Sequence, residues 1–103
     1  MRALVVVTGG TFDKEYDERR GRLFLGRTHV SEMLALGRCR LSARVRRLMM
    51  IDSLDMRPAD RKRILASCRL GARRIVVTHG TDTMVETAQV LGRAKLDKTI
   101  VLT

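Results

Sequence analysis

Short, uninterrupted apolar runs rich in β-branched residues constrain the fold of this chain most strongly. The uninterrupted runs are Leu4 to Val7, Ile75 to Val77 and Ile100 to Leu102. A further apolar run, Val45 to Ile51, is interrupted by two arginines. Strands that are buried on both faces do not alternate apolar and polar residues, whereas strands with one solvated face do. The runs therefore predict strands of a parallel sheet that is covered by helices.

Segments with helical spacing of apolar residues separate these runs. They lie at residues 30–34, 64–68 and 84–91. The second segment is preceded by Pro58, which favours the first turn of a helix, and followed by Gly71, which favours its end. The order β, long loop, α, β, α, β, α, β predicts an α/β fold, a three-layer, Rossmann-like parallel sheet flanked by helices, in a single domain over residues 1–103.

The loop from Gly9 to about Arg27 is long for a domain of this size. Loops of this length are usually functional lids or disordered segments. We therefore expect this segment to be one or the other.

The chain is strongly basic, with 21 Lys and Arg against 11 Asp and Glu and a net charge of +10. Such a charge permits attraction to nucleic acids and other polyanions through neutralisation of phosphates. The basic residues are scattered, however, and the three aromatic residues do not interleave with them as in single-strand binders. We favour a solvated arginine-rich surface without a nucleic-acid partner, and keep a basic, non-catalytic RNA- or polyanion-binding module as the alternative.

Cysteine and histidine usage argues against a disulfide framework and a metal site. Cys39 and Cys68 do not form a CxxC motif and are expected to be reduced thiols, and His29 and His79 lack the spacing of metal ligands. No apolar run approaches the roughly 18 residues of a membrane span, and the first run lacks the layout of an export signal. The expected location is the cytoplasm, with no membrane contact.

Polar motifs follow three of the predicted strands. They occupy Thr8 to Thr11, Asp52 to Asp55 and Thr78 to Thr83. The carboxyl ends of parallel strands lie at one edge of a sheet, where ligands of open α/β sheets bind. The paired glycines of the first motif allow the backbone to approach a ligand closely, but neither GxGxxG nor GxxxxGK is present to indicate a phosphate loop. We expect the three motifs to converge in one site.

Each motif also has a purely structural interpretation. Thr81 or Thr83 is suited to cap the third helix, with Asp82 placed favourably at its positive end, as well as to supply a nucleophile and a ligand-binding carboxylate. Ser53 and Asp55 are suited equally to bind a polar ligand and to cap the approach to Pro58. Tyr16 is either an exposed lid residue or a proton-transfer partner for a nearby hydroxyl. Only the combination of the three motifs favours a functional site.

Together the motifs resemble those of the bacterial-type L-asparaginases. The matching segments are TGGTFD at Thr8 to Asp13, DSLDM at Asp52 to Met56 and VVTHGTDTMVETA at Val76 to Ala88. The spacing in TGGTFDKEYD is similar to the short-chain members, and the resemblance extends along essentially the whole chain. It implies an amidohydrolase that converts L-asparagine to L-aspartate and ammonia, without a cofactor and without a metal.

The resemblance also implies roles for individual residues. The implied catalytic residues are Thr11 as the nucleophile, Tyr16 as its assistant, Thr81 as the second hydroxyl, and Asp82. Asp82 would hold the substrate α-amino group and Ser53 the α-carboxylate, which together suit a zwitterionic amino acid. Backbone N–H groups near Gly10 would stabilise the tetrahedral oxyanion.

Two departures from the family pattern limit this expectation. Family members carry a catalytic lysine beyond a GAM segment that follows the last strand here, and no lysine of this chain matches that position. Their second domain completes the site of a neighbouring subunit. We therefore expect residues 1–103 to be the amino-terminal part of a longer, homodimeric or larger enzyme and to hydrolyse little by themselves. A further alternative is the asparaginase-like subunit of a tRNA-dependent amidotransferase.

Overall fold

A computed structural model describes residues 2–103 and contains a four-stranded parallel sheet and a separate hairpin. The strands are β1 (Arg2–Val7), β2 (Lys14–Asp17), β3 (Arg22–Leu25), β4 (Ser42–Arg47), β5 (Arg74–Thr78) and β6 (Thr99–Leu102). The sheet has the order β4-β1-β5-β6, and β2 pairs with β3 in antiparallel fashion. The three uninterrupted apolar runs form β1, β5 and β6, as the sequence predicts.

Helices cover both faces of this sheet and complete three layers. They are α1 (Val30–Leu36), α2 (Pro58–Arg69) and α3 (Met84–Arg93). Leu4 and Val6 of β1 belong to the core cluster that includes Ile64 of α2. Val5 and Val7 point to the opposite face, where their cluster includes Val30 of α1. Consecutive β1 residues therefore pack on different layers, which explains the continuous apolar run and confirms the predicted fold class.

The fourth apolar run, Val45 to Ile51, is only partly a strand, so that prediction is wrong in its second half. β4 begins earlier, at Ser42, and ends at Arg47. The backbone N–H groups of Leu48 and Met49 both donate to the carbonyl of Val7, at 3.0 and 3.2 Å. This shared acceptor turns the chain over the end of β1 and out of the sheet.

The segment from Gly9 to Arg27 is ordered, so the expectation of disorder is wrong; a lid role stays a prediction. It contains a 3-10 helix at Thr11–Asp13 and the β2–β3 hairpin. Asp13 is fully buried and anchors the hairpin base, because it accepts hydrogen bonds from the Thr28 hydroxyl at 2.8 Å and the His29 N–H at 2.7 Å. The hairpin is thereby tied to the start of α1.

Candidate active site

The three polar motifs lie together at the carboxyl edge of the parallel sheet, as predicted. We call them the first loop (residues 8–13), the second loop (residues 48–56) and the third loop (residues 78–83). The hydroxyl and the N–H of Thr8 both donate to the carbonyl of Thr78, which joins the first loop to the third. The N–H of Ile51 donates to the carbonyl of Thr8 at 3.0 Å, which joins the second loop to the first.

Three glycines allow these loops to approach each other closely. Gly9 has a φ of +117°, and a Cβ at this position would lie 2.6 Å from the carbonyl oxygen of Ile51. A Cβ on Gly80 would lie 2.8 Å from the Ser53 Oγ, and one on Gly10 would lie 3.5 Å from the backbone nitrogen of His79. A side chain at Gly9 would therefore require the backbone of the second loop to move, whereas one at Gly80 would require Ser53 to move.

Thr11, Thr81 and Asp82 are exposed at this edge. Thr11 begins the 3-10 helix directly after Gly10, and Thr81 follows Gly80 in the third loop. The packing of Gly10 against the third loop brings the backbone segments of both threonines together. Within residues 2–103 no hydrogen bond joins the two hydroxyls, and both residues are accessible to solvent.

Ser53 belongs to the second loop, and its side chain is buried against the third loop. It is 1% exposed, and its Oγ accepts a hydrogen bond from the Thr83 N–H at 3.4 Å. The Thr83 hydroxyl donates to the Ser53 carbonyl at 2.9 Å. Thr83 precedes α3 without a capping hydrogen bond from its side chain. It therefore joins two loops, and the capping interpretation of Thr83 is wrong.

Tyr16 lies in β2, and its side chain extends toward the turn of the hairpin. It is 60% exposed, and its hydroxyl lies 3.8 Å from the Cβ position of Gly21, beside the turn of its own hairpin. The structure therefore does not place the Tyr16 hydroxyl next to Thr11. Assistance by Tyr16 would need movement of the hairpin.

Lys14 and Asp52 form an ion pair that joins β2 to the second loop, and sequence reasoning did not identify it. The Lys14 Nζ donates to the Asp52 Oδ2 at 2.8 Å. This hydrogen bond and the negative charges of Asp52 and Asp82 raise the pKa of Lys14, although burial partly opposes the shift. The same bond, with the N–H of Leu54, lowers the pKa of Asp52. Lys14 is thus held in place by Asp52, and its positive charge is also attracted by Asp82.

His79 of the third loop takes part in a buried chain of hydrogen bonds that connects this loop to α3 and α2. Its Nδ1 lies 2.6 Å from the Gly80 carbonyl oxygen, and its Nε2 lies 2.7 Å from the Thr87 Oγ1. A carbonyl only accepts, so the Nδ1 carries the proton and the Nε2 accepts from the Thr87 hydroxyl. The Arg61 Nε donates to the same hydroxyl oxygen at 3.1 Å. Burial lowers the pKa of His79, which agrees with a neutral ring.

A groove of about 550 Å³ lies between β3 and the second loop, and Thr11, Thr81 and Asp82 are not among the residues that line it. Its lining includes Lys14, Leu25, Ile51, Asp52 and Asp55. Within the described residues 2–103, no three His, Cys, Asp or Glu side chains are arranged to hold a metal ion. None of the helices in that range is long and apolar enough to cross a membrane.

Comparison with known proteins defines the class to which this fold and site belong. Residues 2–103 match the family that is described as "Asparaginase, N-terminal". The chain therefore belongs to the asparaginase family, as its motifs predict. The comparison with curated proteins found no match.

Two solved structures are similar to the chain over nearly its whole length. The thermostable L-asparaginase from Thermococcus kodakarensis has 28% sequence identity and a TM-score of 0.75, with 99% of this chain and 33% of that chain covered. The probable cytoplasmic L-asparaginase from Campylobacter jejuni has 30% identity and a TM-score of 0.76, with 98% and 33% covered. The chain spans about one third of the length of each of these two enzymes.

Proposed function

We propose that this chain carries the amino-terminal part of an L-asparaginase site, in which Thr11 is the nucleophile. The observation that carries the proposal is the packing of Gly10 against the third loop, because it brings the exposed Thr11 and Thr81 to the same edge. Membership of the asparaginase family supports amide hydrolysis, and the similarity to two L-asparaginases supports L-asparagine as the substrate.

The proposed reaction proceeds through an ester with the enzyme. The Thr11 oxygen attacks the side-chain amide carbon of asparagine, the amide nitrogen leaves as ammonia, and water then releases aspartate and restores the hydroxyl. The Thr11 proton passes to the leaving nitrogen, a transfer that we assign to Tyr16 after the hairpin has moved. Thr81 provides the second hydroxyl. Backbone N–H groups near Gly10 stabilise the oxyanion, at about 3 kcal/mol per donor.

Recognition of the amino-acid end of the substrate is assigned to the third and second loops. Asp82 is exposed and suited to pair with the α-amino group. Ser53 binds the α-carboxylate in this proposal by donating its hydroxyl proton, while its Oγ still accepts from the Thr83 N–H. Because Ser53 is 1% exposed, the third loop must shift to admit the carboxylate. The positive charge of Lys14 favours binding of the substrate carboxylate in this region.

Ammonia release from L-asparagine tests this proposal. In the complete enzyme of which this chain is proposed to be the amino-terminal part, we expect Thr11→Ala and Thr81→Ala each to lower kcat by about 1000-fold or more, because each removes a reacting hydroxyl. Thr99→Ala, an exposed threonine in β6, is the matched control and should leave the rate unchanged. Full activity in both site variants would contradict the assignment, and activity only with a partner subunit and charged tRNA would favour an amidotransferase.

Assembly and location belong to the same proposal. We propose a homodimer or larger homo-oligomer, because β6 forms an edge of the sheet on which Val101 is 51% exposed. We propose a cytoplasmic location, supported by the similarity to the probable cytoplasmic enzyme of Campylobacter jejuni. Sedimentation measures the first property, and a monomer at working concentration would contradict it.

A further inference from the structure

A second groove, of about 620 Å³, lies at the opposite, amino edge of the parallel sheet. We call it the amino-edge groove. Five of its ten lining residues are arginines, and none is acidic: Arg2, Ala3, Leu4, Ser42, Arg44, Arg46, Gly71, Ala72, Arg73 and Arg74. The proposed asparaginase site uses none of them.

The register of the sheet explains why several of these arginines share one face. Arg44 and Arg46 of β4 lie opposite Leu4 and Val6 of β1, whose side chains pack toward α2. Arg2 is two residues before Leu4 and has the same orientation, because side chains alternate along a strand. The three guanidinium groups therefore project from the face on which α2 lies.

Little negative charge compensates these arginines. Among residues 2–103, Arg2, Arg44, Arg46 and Arg74 form no ion pair within 4 Å, and Arg73 pairs only with the exposed Asp97, at 3.2 Å. Arg46 is fixed in place because its Nη1 donates to the Ser67 Oγ at 2.9 Å. Guanidinium groups of like charge repel one another, so a bound anion of high charge would stabilise this arrangement.

The lining indicates which kind of anion fits. Planar guanidinium groups bind phosphate oxygens in bidentate fashion, and the three that share the face of α2 favour an anion with more than one phosphate group. The aromatic residues of the chain are Phe12, Tyr16 and Phe24, and none of them lines the groove. Stacking of nucleic-acid bases, which single-strand binding requires, is therefore not provided. The volume is within the range of small-molecule sites.

We propose that the amino-edge groove binds a compact anion of several linked phosphate groups. The ligand is held through its phosphates, and a base or sugar attached to them is not recognised. This inference does not rest on the asparaginase proposal, because it concerns the opposite edge of the sheet and other residues.

Calorimetric titration with inorganic tripolyphosphate tests the proposal. We expect saturable binding that is about tenfold or more tighter than that of orthophosphate, since additional guanidinium–phosphate hydrogen bonds form. ATP should bind about as tightly as tripolyphosphate. Added salt should weaken binding, because the groove is exposed. Equal affinity for orthophosphate and tripolyphosphate, or tighter binding of a single-stranded oligouridylate, would overturn the proposal.

Paired variants separate a site from general attraction to a basic protein. The variant Arg2→Gln with Arg44→Gln removes two exposed groove arginines, and Arg22→Gln with Arg93→Gln removes two exposed arginines elsewhere. Both lower the net charge equally. We expect about a tenfold or larger loss of tripolyphosphate affinity in the first variant alone. Equal losses in both would show attraction to overall charge and would overturn the proposal.

Discussion

The two edges of the parallel sheet are built in different ways. At the carboxyl edge, a Cβ on Gly9 would lie within 3.0 Å of the Ile51 backbone, and one on Gly80 would lie within 3.0 Å of the Ser53 side chain. At the amino edge, the long side chains of Arg2 and Arg44 reach into a groove from exposed positions. The same sheet thus supports one region fixed by backbone contacts and another defined by charge.

This difference predicts how each edge responds to substitution. Changes at the carboxyl edge should lower the free energy of unfolding, because the loops there share buried hydrogen bonds such as that between Thr8 and Thr78. Changes at the amino edge should alter anion binding and leave stability nearly unchanged. Substitutions at the two edges therefore test the contrast.

The largest expected effect is that of Gly9→Ala. The added methyl group would meet the Ile51 carbonyl at 2.6 Å, and the residue would keep a φ of +117° that non-glycine residues rarely adopt. We expect the free energy of unfolding to fall by about 4 kcal/mol, measured by denaturant titration. Gly92→Ala in α3 is the control. Its Cβ would meet nothing within 4 Å, so it should stabilise the helix slightly. Equal stability of both variants would contradict the close fit of the first and second loops.

The next largest effect is expected from Thr87→Val, which keeps the shape of the side chain but removes its hydroxyl. The His79 Nε2 and the Arg61 Nε both lose a hydrogen-bond partner in a buried region. We expect a loss of about 2 kcal/mol in the free energy of unfolding. Thr99→Val in the exposed part of β6 should change it by less than about 0.5 kcal/mol. A similar loss in both variants would show that the hydroxyl of Thr87 is not part of a buried chain.

Much of the fold could be predicted because apolar runs and helical spacing report burial directly. The run Leu4 to Val7 forms a central strand, since it faces two helical layers. The end of β4 could not be predicted, because it depends on the Val7 carbonyl, which accepts from both Leu48 and Met49. The hairpin was missed because β2 and β3 have no buried residue and hence no regular apolar pattern.

For the candidate site, the sequence predicted which loops meet but not the contacts that hold them. The convergence of the three motifs follows from parallel topology alone. The pairing of Lys14 with Asp52 joins residues 38 positions apart, and no local pattern signals it. The burial of Ser53 follows from packing against Gly80, so exposure of that hydroxyl could not be judged from its motif. The roles of Thr11, Tyr16, Thr81 and Asp82 stay predictions.

A smaller effect is expected from Lys14→Met, because the ion pair with Asp52 is partly exposed. We expect a loss of about 1 kcal/mol at neutral pH. The pKa of Asp52 is lowered from 3.8, so the pair stabilises the fold above that value and ceases to do so as the pH falls through the lowered pKa. The pKa of Lys14 is raised from 10.5, so the contribution is also lost in strong alkali.

Denaturant titrations of the wild type and Lys14→Met across the acid range measure this difference. The free energies of unfolding of the wild type and of Lys14→Met should become equal once Asp52 is protonated. Lys62→Met is the matched control, because Lys62 is exposed on α2 and forms no ion pair among residues 2–103. A difference that persists unchanged in acid would mean that packing of the lysine side chain, rather than its charge, joins β2 to the second loop.

The smallest effect on stability is expected at the amino edge, from Arg44→Ala. Arg44 is exposed and, within residues 2–103, forms no hydrogen bond or ion pair through its side chain, so the variant should differ from wild type by less than about 0.5 kcal/mol. Removing one of several repelling guanidinium groups favours a slight gain. Addition of tripolyphosphate should then stabilise the wild type more than the variant, since only the folded protein presents the groove. A loss of about 2 kcal/mol without ligand would instead show that this edge, like the other, is held by specific contacts.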